Sequence, residues 1–188
     1  MLIKDIETHR DVVTLKDGVR VLIRPMVRED YDKLLEFYGS AGDEDMLIFR
    51  HHVKDPALIK EWCEHLDYDK VLPLLALVKE RVVGSASLHY FEGPKRHVAE
   101  VRVYLTKDYR HRGLGMKMVR ELVDFARKQD IRILVAEIIA EQPKVVRAFQ
   151  QAGFTSQCTL EDYFMYPDGD TSDVVFTTMD LKPKSDEF

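Results

Sequence analysis

The sequence predicts a mixed α/β (α+β) fold, with about four helices and a mostly antiparallel sheet. Two observations lead to this prediction. The strand-like segments as far as residue 105 are joined by connections too short for a crossover, so neighbouring strands should pair antiparallel. Beyond that residue, a strand is followed by an amphipathic helix and another strand, with the spacing of one βαβ unit. The two strands of that unit should be parallel.

The first third of the chain is expected to form a β-hairpin and two helices. Residues 12–24 contain two apolar segments on either side of the turn signal Lys16-Asp17-Gly18, and Pro25 ends the second strand. Residues 31–38 repeat apolar side chains at the i, i+3, i+4, i+7 spacing of a buried helical face. Asp55-Pro56 supplies an N-cap and a first-turn proline, so a second helix should begin there.

The middle of the chain is predicted as three strands, a helix and a fourth strand. A continuous apolar run over Leu72–Lys79 turns into a second strand over Val82–Tyr90, and a third follows over Val98–Leu105. The next helix presents its apolar face within residues 118–126. It leads to a buried strand over Ile131–Ile138, which completes the βαβ unit.

The last third is predicted as a short helix and two closing strands. The helix begins at Pro143 and stops at Gly153, a residue suited to the position after a helix C-terminus. The strands cover about Phe154–Tyr166 and Val174–Leu181, joined by the turn Pro167-Asp168-Gly169-Asp170. Short connections again favour antiparallel pairing.

Composition limits the class of protein. The chain has 188 residues, 45% of them hydrophobic and 32% charged, which excludes a disordered chain and supplies a core. We expect one domain over residues 1–188, with a loose tail over 183–188. The net charge of −5 argues against a general nucleic-acid partner.

The hydropathy pattern and the cysteine positions limit the class of protein further. No apolar run approaches the roughly 20 residues that a membrane span needs, and the N-terminus lacks an apolar secretory segment. A cytoplasmic protein without a membrane partner is therefore expected. Cys63 and Cys158 are far apart and form neither a zinc motif nor a disulfide framework. Cys63 lies beside the apolar stripe of the second helix and should be a core residue.

The most informative segment is the basic, glycine-containing loop over residues 107–115. A strand ends, two glycines open a helix, and lysine, arginine and histidine side chains crowd the approach. Glycine lets the backbone come close to a ligand, and a helix N-terminus offers unpaired N–H groups and a positive dipole end. The loop is therefore predicted to bind a pyrophosphate or similar polyanion. The alternative is a solvated basic turn.

Two other phosphate-binding motifs fit poorly. The nucleotide P-loop pattern is absent from the sequence. The dinucleotide fingerprint needs a third small residue where Met118 stands, although Glu137 is spaced suitably for its ribose acid. A single βαβ unit after several antiparallel strands also disagrees with a doubly wound sheet.

The loop resembles the signature of the GNAT acetyltransferases, which bind acyl-coenzyme A. Arg110-x-x-Gly113-x-Gly115 matches (Gln or Arg)-x-x-Gly-x-(Gly or Ala), follows the strand Ala99–Leu105 and opens an amphipathic helix. The later stretch Glu141–Phe154 and the early Ile23-Arg24-Pro25 are also similar to this family. The resemblance covers about residues 19–182 and implies the GNAT fold, with splayed parallel central strands.

The resemblance implies a site for acetyl-CoA as co-substrate, with no metal. The pantetheine arm would lie between the splayed strands and pair with the backbone of the first, and the pyrophosphate would meet the loop N–H groups. The cofactor-binding residues implied are Val103, Tyr104, Leu105, Arg110, His111, Arg112, Gly113, Leu114, Gly115, Met116 and, in place of the family's asparagine, Gln142.

Glu100 is the implied catalytic residue. Amine attack on the thioester requires a base, because an amine of pKa about 10.4 is mostly protonated at neutral pH. Glu100 occupies the position where many family members carry such an acid. The alternative is a cross-strand salt bridge.

The chain departs from the family at two positions. Gln142 replaces an asparagine, and Phe149 replaces the tyrosine that often protonates the leaving thiolate. Tyr163 and Tyr166 lie on the closing strand, where core packing is the expected role. Phe149 and Gln142 favour the alternative function, a catalytically weak acyl-CoA-binding sensor module.

The function implied is transfer of an acetyl or short acyl group from acetyl-CoA to a primary amine, by direct attack in a ternary complex. Ala99-Glu100 and Ile23-Arg24-Pro25 look most similar to bacterial protein-lysine acetyltransferase domains, which implies a protein lysine as the acceptor. A small molecule, such as a small amine, an antibiotic or an amino acid, is the alternative. A homodimer is plausible from family habit. Nucleic acid is not an expected partner.

Overall fold

The computed structural model describes residues 6–42, 45, 49, 52–166 and 168–181. The four helices of at least nine residues and the eight strands follow the predicted order. They are β1 (Asp11–Thr14), β2 (Arg20–Pro25), α1 (Tyr31–Gly39), α2 (Pro56–Glu64), β3 (Val71–Val78), β4 (Arg81–Tyr90), β5 (Val98–Leu105), α3 (Leu114–Lys128), β6 (Ile133–Ile139), α4 (Pro143–Gln151), β7 (Thr155–Met165) and β8 (Thr171–Asp180).

The strands form one eight-stranded sheet in the order β1-β2-β3-β4-β5-β6-β8-β7. Strands β5 and β6 pair in parallel, whereas β1–β2, β2–β3, β6–β8 and β7–β8 are antiparallel. The predicted mixed, mostly antiparallel sheet with a parallel pair is therefore confirmed. The predicted tail over 183–188 and residue Pro167 of the predicted turn lie outside the described residues.

The chain divides into two compact units. The first comprises Met1–Ser87 and Val103–Met118, and the second comprises Leu88–Arg102 and Val119–Phe188. Strands β4 and β5 and helix α3 contribute residues to both units. The single domain over residues 1–188 stays a prediction.

The first unit has a buried core in which helices α1 and α2 pack together. Helix α2 begins as predicted, because the Asp55 side chain accepts a hydrogen bond from the N–H of Ala57 at 2.9 Å. Cys63 is 3% exposed, so its predicted core position is confirmed. Aromatic rings form the centre of this core, with edge-to-face contacts among Phe37, Tyr38, Phe49, Trp62 and Tyr104.

A buried ion pair connects strand β2 to the residue before helix α1. Arg24 donates two hydrogen bonds to the Asp30 carboxylate, at 2.7 and 2.6 Å, and Asp30 also accepts from the N–H of Val27 at 2.8 Å. Asp30 is 2% exposed. A buried carboxylate of this kind needs such partners, because desolvation of an isolated charge is costly.

In the second unit, the ladder between the parallel strands is short. It joins Val98–Glu100 to Ile133–Val135, although β5 continues in this unit to Arg102 and β6 to Ile139. By contrast, β6 pairs with β8 over its whole length. The predicted splay of the parallel strands therefore begins after Glu100.

Element ends in the second unit differ slightly from the predicted bounds. Ile131 was predicted as the first residue of β6, but its N–H donates to the carbonyl of Ala126 and closes helix α3. Asp130 reverses the chain there with φ of 57°. Helix α4 ends before Gly153, at φ of 105°, as predicted.

Candidate functional site

The loop between β5 and α3 has the backbone geometry that its glycines require. A short 3-10 helix, Lys107–Tyr109, leads into an extended Arg110. His111 (φ 60°) and Gly113 (φ 84°) are both left-handed. An added Cβ at Gly113 would meet no atom within 4 Å, so it is the backbone angle that favours glycine. The space beside Gly113 is therefore open to a ligand.

The first turn of α3 leaves its N–H groups available. Lys117 donates the first hydrogen bond into the helix, to the carbonyl of Gly113 at 3.2 Å. Within the described part of the chain, the N–H groups of Leu114, Gly115 and Met116 have no acceptor. A 15-residue helix adds a positive dipole end at this point. The arrangement suits an anion such as a phosphate group.

The side chain of Arg110 is partly buried and is held by two acceptors. Its Nε donates to the carbonyl of Leu105 at 3.0 Å, and its Nη2 donates to Asp45 Oδ1 at 2.8 Å. Its guanidinium carbon lies 5.7 Å from the centre of the Tyr104 ring. Asp45 was missed in the sequence, where it is only one acid of a polar connection between two helices.

Other cations of the loop are also paired. Arg112 contacts the carboxylate of Asp17, donates to the carbonyl of Asp108 at 3.2 Å and lies 4.6 Å above the Tyr109 ring. Arg81 forms an ion pair with Asp108 at 3.0 Å. The arginines beside the loop are thus partly neutralised by Asp45, Asp17 and Asp108.

The end of β5 lies against the loop in the same unit. Tyr104 is 6% exposed and donates its hydroxyl to Asp45 Oδ2 at 3.2 Å. Burial raises the pKa of Tyr104 to about 12, and the Asp45 carboxylate adds to the rise. Val103 and Leu105 are half-buried, and a Cβ at Gly115 would lie 3.8 and 3.5 Å from their side chains.

Gly84, on β4, makes room for Leu105. A Cβ added there would lie 2.6 Å from Leu105 Cδ2 and 3.3 Å from Met118 Sδ. This close approach explains a glycine in a strand interior, where it is otherwise unfavourable. The sequence signal that could have identified this residue is a glycine inside the predicted strand Val82–Tyr90.

Glu100, in the second unit, is 4% exposed. Its Oε2 accepts a hydrogen bond from Arg102 Nη2 at 2.9 Å, so the ion pair runs along β5 and not across to a neighbouring strand. Arg102 Nε is buried and has no acceptor among the described residues. The catalytic role of Glu100 stays a prediction.

Known proteins identify the family. The model of the acetyltransferase (GNAT) domain matches residues 20–155, which is more than two thirds of the chain. The chain belongs to the GNAT acetyltransferase family. It is accordingly a transferase, in broad terms an acetyl-CoA-dependent N-acetyltransferase, and the resemblance found in the loop sequence is confirmed.

One related sequence and two solved structures are similar to this chain. The chain is 30% identical to acetyltransferase PA5475 of Pseudomonas aeruginosa over 134 residues, 68% of this chain and 70% of the relative. It is 27% identical to the ribosomal-protein-alanine N-acetyltransferase of Brucella melitensis, with a TM-score of 0.74, covering 84% of this chain and 98% of that one. The fold is also shared with yncA of Salmonella typhimurium, solved with its cofactor acetyl-CoA, at 21% identity and a TM-score of 0.73, over 89% and 98% of the chains.

The two positions that depart from the GNAT pattern lie in the second unit. Gln142 is the N-cap residue of α4, and its side chain makes no capping hydrogen bond to the helix. Phe149 is 5% exposed and packs edge-to-face against Phe154, with ring centres 5.0 Å apart. Tyr163 is 51% exposed on β7, so its expected core packing was wrong, because β7 is an edge strand that is exposed along most of its length.

The described residues contain neither a metal-binding cluster nor a membrane-spanning helix. Among residues 6–42, 45, 49, 52–166 and 168–181, no cluster of three or more His, Cys, Asp and Glu side chains could bind a metal ion. In the same part of the chain, the helices are too short or too polar to cross a membrane.

Proposed function

We propose that this GNAT protein transfers an acetyl or other short acyl group from acyl-CoA to a primary amine by direct attack in a ternary complex. The observation that carries the proposal is the open first turn of α3, which begins within the family signature and has three N–H groups without an acceptor among the described residues. The fit to a pyrophosphate is supported by the left-handed Gly113, beside which the space is open.

The chain's own groups supply binding and orientation. The N–H groups of Leu114, Gly115 and Met116 would receive the pyrophosphate, and the backbone of Val103–Leu105 would pair with the pantetheine arm as an added strand does. Arg110 and Arg112 would contribute through the shape of the loop, since their guanidinium groups are engaged by Asp45 and Asp17.

Proton removal from the amine is assigned to Glu100, directly or through water. A lysine-like amine has a pKa of about 10.4, so most of it must lose a proton before it can attack. In the transfer, Glu100 takes one proton from the ammonium group and the neutral nitrogen forms a bond to the acyl carbon. The carbon–sulfur bond then breaks, and coenzyme A leaves as a thiolate that takes up the second nitrogen proton. Arg102 holds the Glu100 carboxylate in place.

Direct attack is favoured over a covalent acyl-enzyme by the state of Cys63. This thiol is 3% exposed, and burial, with smaller contributions from Asp30 and Glu64, raises its pKa to about 11. A nucleophilic cysteine needs a lowered pKa and access to substrate, and Cys63 has neither.

The acceptor class comprises small amines and protein lysines. The alanine N-acetyltransferase among the relatives acts on a ribosomal protein by its name, which supports testing peptides beside small amines. A homodimer and a cytoplasmic location stay predictions.

The test is a panel of amines and peptides with acetyl-CoA, followed by thermal shift and by release of free coenzyme A. Saturable release that requires both substrates supports the enzyme. Tight coenzyme A binding without turnover across the panel would favour the sensor module. A lack of coenzyme A binding would defeat the proposal.

A further inference from the structure

Asp45 is a buried carboxylate that contacts the candidate cofactor loop. It is 3% exposed, and its two oxygens have different partners: Oδ1 accepts from Arg110 Nη2 at 2.8 Å, and Oδ2 accepts from the hydroxyl of Tyr104 at 3.2 Å. A carboxylate is taken out of water only where charged and polar partners compensate. The contact is therefore specific and joins the segment after α1 to the loop.

Arg110 connects this carboxylate to the end of β5. The same guanidinium that donates to Asp45 also donates from Nε to the carbonyl of Leu105 at 3.0 Å. Tyr104, the second partner of Asp45, packs against Phe49, with the two ring centres 4.6 Å apart. Asp45 and Phe49 thus fix both the last residues of β5 and the first residue of the turn.

We propose that Asp45 is a positioning residue for acyl-CoA. It holds the partly buried Arg110 side chain against the end of β5, and the fixed Arg110 sets the path of the loop, so that the N–H groups of Leu114–Met116 face the pyrophosphate. This inference rests on the proposed function, because it assigns Asp45 to the same cofactor site.

The proposal and simple charge attraction predict opposite changes in coenzyme A affinity when Asp45 loses its charge. Asp45→Asn removes a negative charge near a site for a polyanion and frees the Arg110 guanidinium. If Arg110 bound the pyrophosphate directly, coenzyme A affinity would rise in this variant, and its salt dependence would steepen. If Arg110 is needed in its fixed position between Asp45 and Leu105, the same variant loses affinity.

The experiment is titration calorimetry of coenzyme A with wild type and Asp45→Asn at low and moderate salt. We expect Kd to increase by about fivefold or more, an effect in the range typical of contacting residues, with no steeper salt dependence. An unchanged or lower Kd overturns the proposal. Asp30→Asn is the matched control, because it also removes a buried, arginine-paired carboxylate; it should lower stability and leave Kd unchanged.

Two further variants extend the test, and the second, Arg110→Lys, keeps it decisive if Asp45→Asn does not fold. Asp45→Glu retains the charge and should retain more affinity than Asp45→Asn wherever both fold. Arg110→Lys retains the cation but cannot reach Leu105 and Asp45 together; it should raise Kd, and wild-type affinity in this variant would overturn the proposal. If wild type itself fails to bind coenzyme A, the proposed function fails as well, whereas tight binding by wild type and Asp45→Asn alike removes only this inference.

Discussion

Glu100 and Arg102 form an ion pair along one strand, with Arg102 Nη2 2.9 Å from Glu100 Oε2. Residues two apart on a strand project from the same face, so the pairing follows from the register of β5. The carboxylate is nearly fully buried, and the guanidinium is about one quarter exposed. A salt bridge was the alternative to a catalytic role, but the two are compatible, since a held carboxylate is also an oriented base.

We predict that Glu100→Gln lowers kcat by about 10²–10⁴-fold, the usual contribution of a general base. The amide preserves size and loses basicity, so the loss should be largest where the amine acceptor is mainly protonated. Coenzyme A affinity serves as the control and should change little. Because Glu100 is a buried partner of Arg102, the thermal midpoint should fall, so turnover is compared at a temperature where both proteins are folded. If Glu100→Gln turned over as fast as wild type at neutral pH, the catalytic role would be wrong, and the role of Glu100 would be the salt bridge to Arg102.

A second prediction concerns the open position at Gly113. Gly113→Asp should abolish measurable coenzyme A binding, because it places a carboxylate where the phosphate is expected. Gly113→Asn is the matched control: asparagine is nearly isosteric and also tolerates the left-handed φ of 84°. It should bind more weakly than wild type but better than Gly113→Asp. Calorimetry that gave equal affinities for wild type and Gly113→Asp would remove the loop from the site.

Local patterns predicted most of the fold. The bounds of β5, Val98–Leu105, agree with the predicted strand, and α2 and α4 begin at the predicted prolines, Pro56 and Pro143. These features depend on residues close in sequence: polarity alternation, an N-cap and a proline in the first turn. The parallel pair followed from the length of one connection.

The surroundings of the loop could not be predicted in the same way. Arg110 was expected among the cofactor ligands, yet its guanidinium reaches Asp45, which is 65 residues away in sequence. No periodicity carries a pairing over that distance, because it depends on how the fold brings segments together. The 3-10 turn at Lys107–Tyr109 was also missed, since three residues are too few to show a period.

The buried ion pair of Arg24 and Asp30 predicts how the folding stability depends on pH. Burial alone disfavours the charged Asp30, but hydrogen bonds from Arg24 and from the Val27 N–H outweigh it, so the pKa of Asp30 lies below its usual value. A lowered pKa in the folded state stabilises the protein above the unfolded value of about 3.9. That contribution is lost as pH falls through the folded value.

Asp30→Asn should therefore lower the free energy of unfolding at neutral pH by about 3–5 kcal/mol, the cost of breaking a buried pair. The difference from wild type should shrink in urea titrations as the pH falls below about 4. Glu64→Gln, which breaks the exposed Lys60–Glu64 pair, is the control and should stay within about 0.5 kcal/mol. A difference that does not vary with pH would contradict the role of the Asp30 charge.

Phe149 tests whether transfer needs a proton donor at this position. We predict that wild type turns over, because a thiol, with cysteine at about 8.5 as a guide, is a far better leaving group than an alcohol. Phe149→Ala should cost about 3–5 kcal/mol of stability, since the ring is buried against Phe154. Phe149→Tyr adds one hydroxyl and should cost less than that truncation.

The rate–pH profiles of wild type and Phe149→Tyr, measured with one good amine, then distinguish an active acetyltransferase from the sensor module. Wild type has no phenol at this position, so its rate should not fall through the ionisation of one near pH 10. Phe149→Tyr should show such a fall if the new hydroxyl takes part in transfer, and should follow the wild-type profile if it only packs. Because the thiolate can leave without an acid, both proteins should release coenzyme A. Turnover by Phe149→Tyr together with none by wild type would contradict this and favour the sensor module.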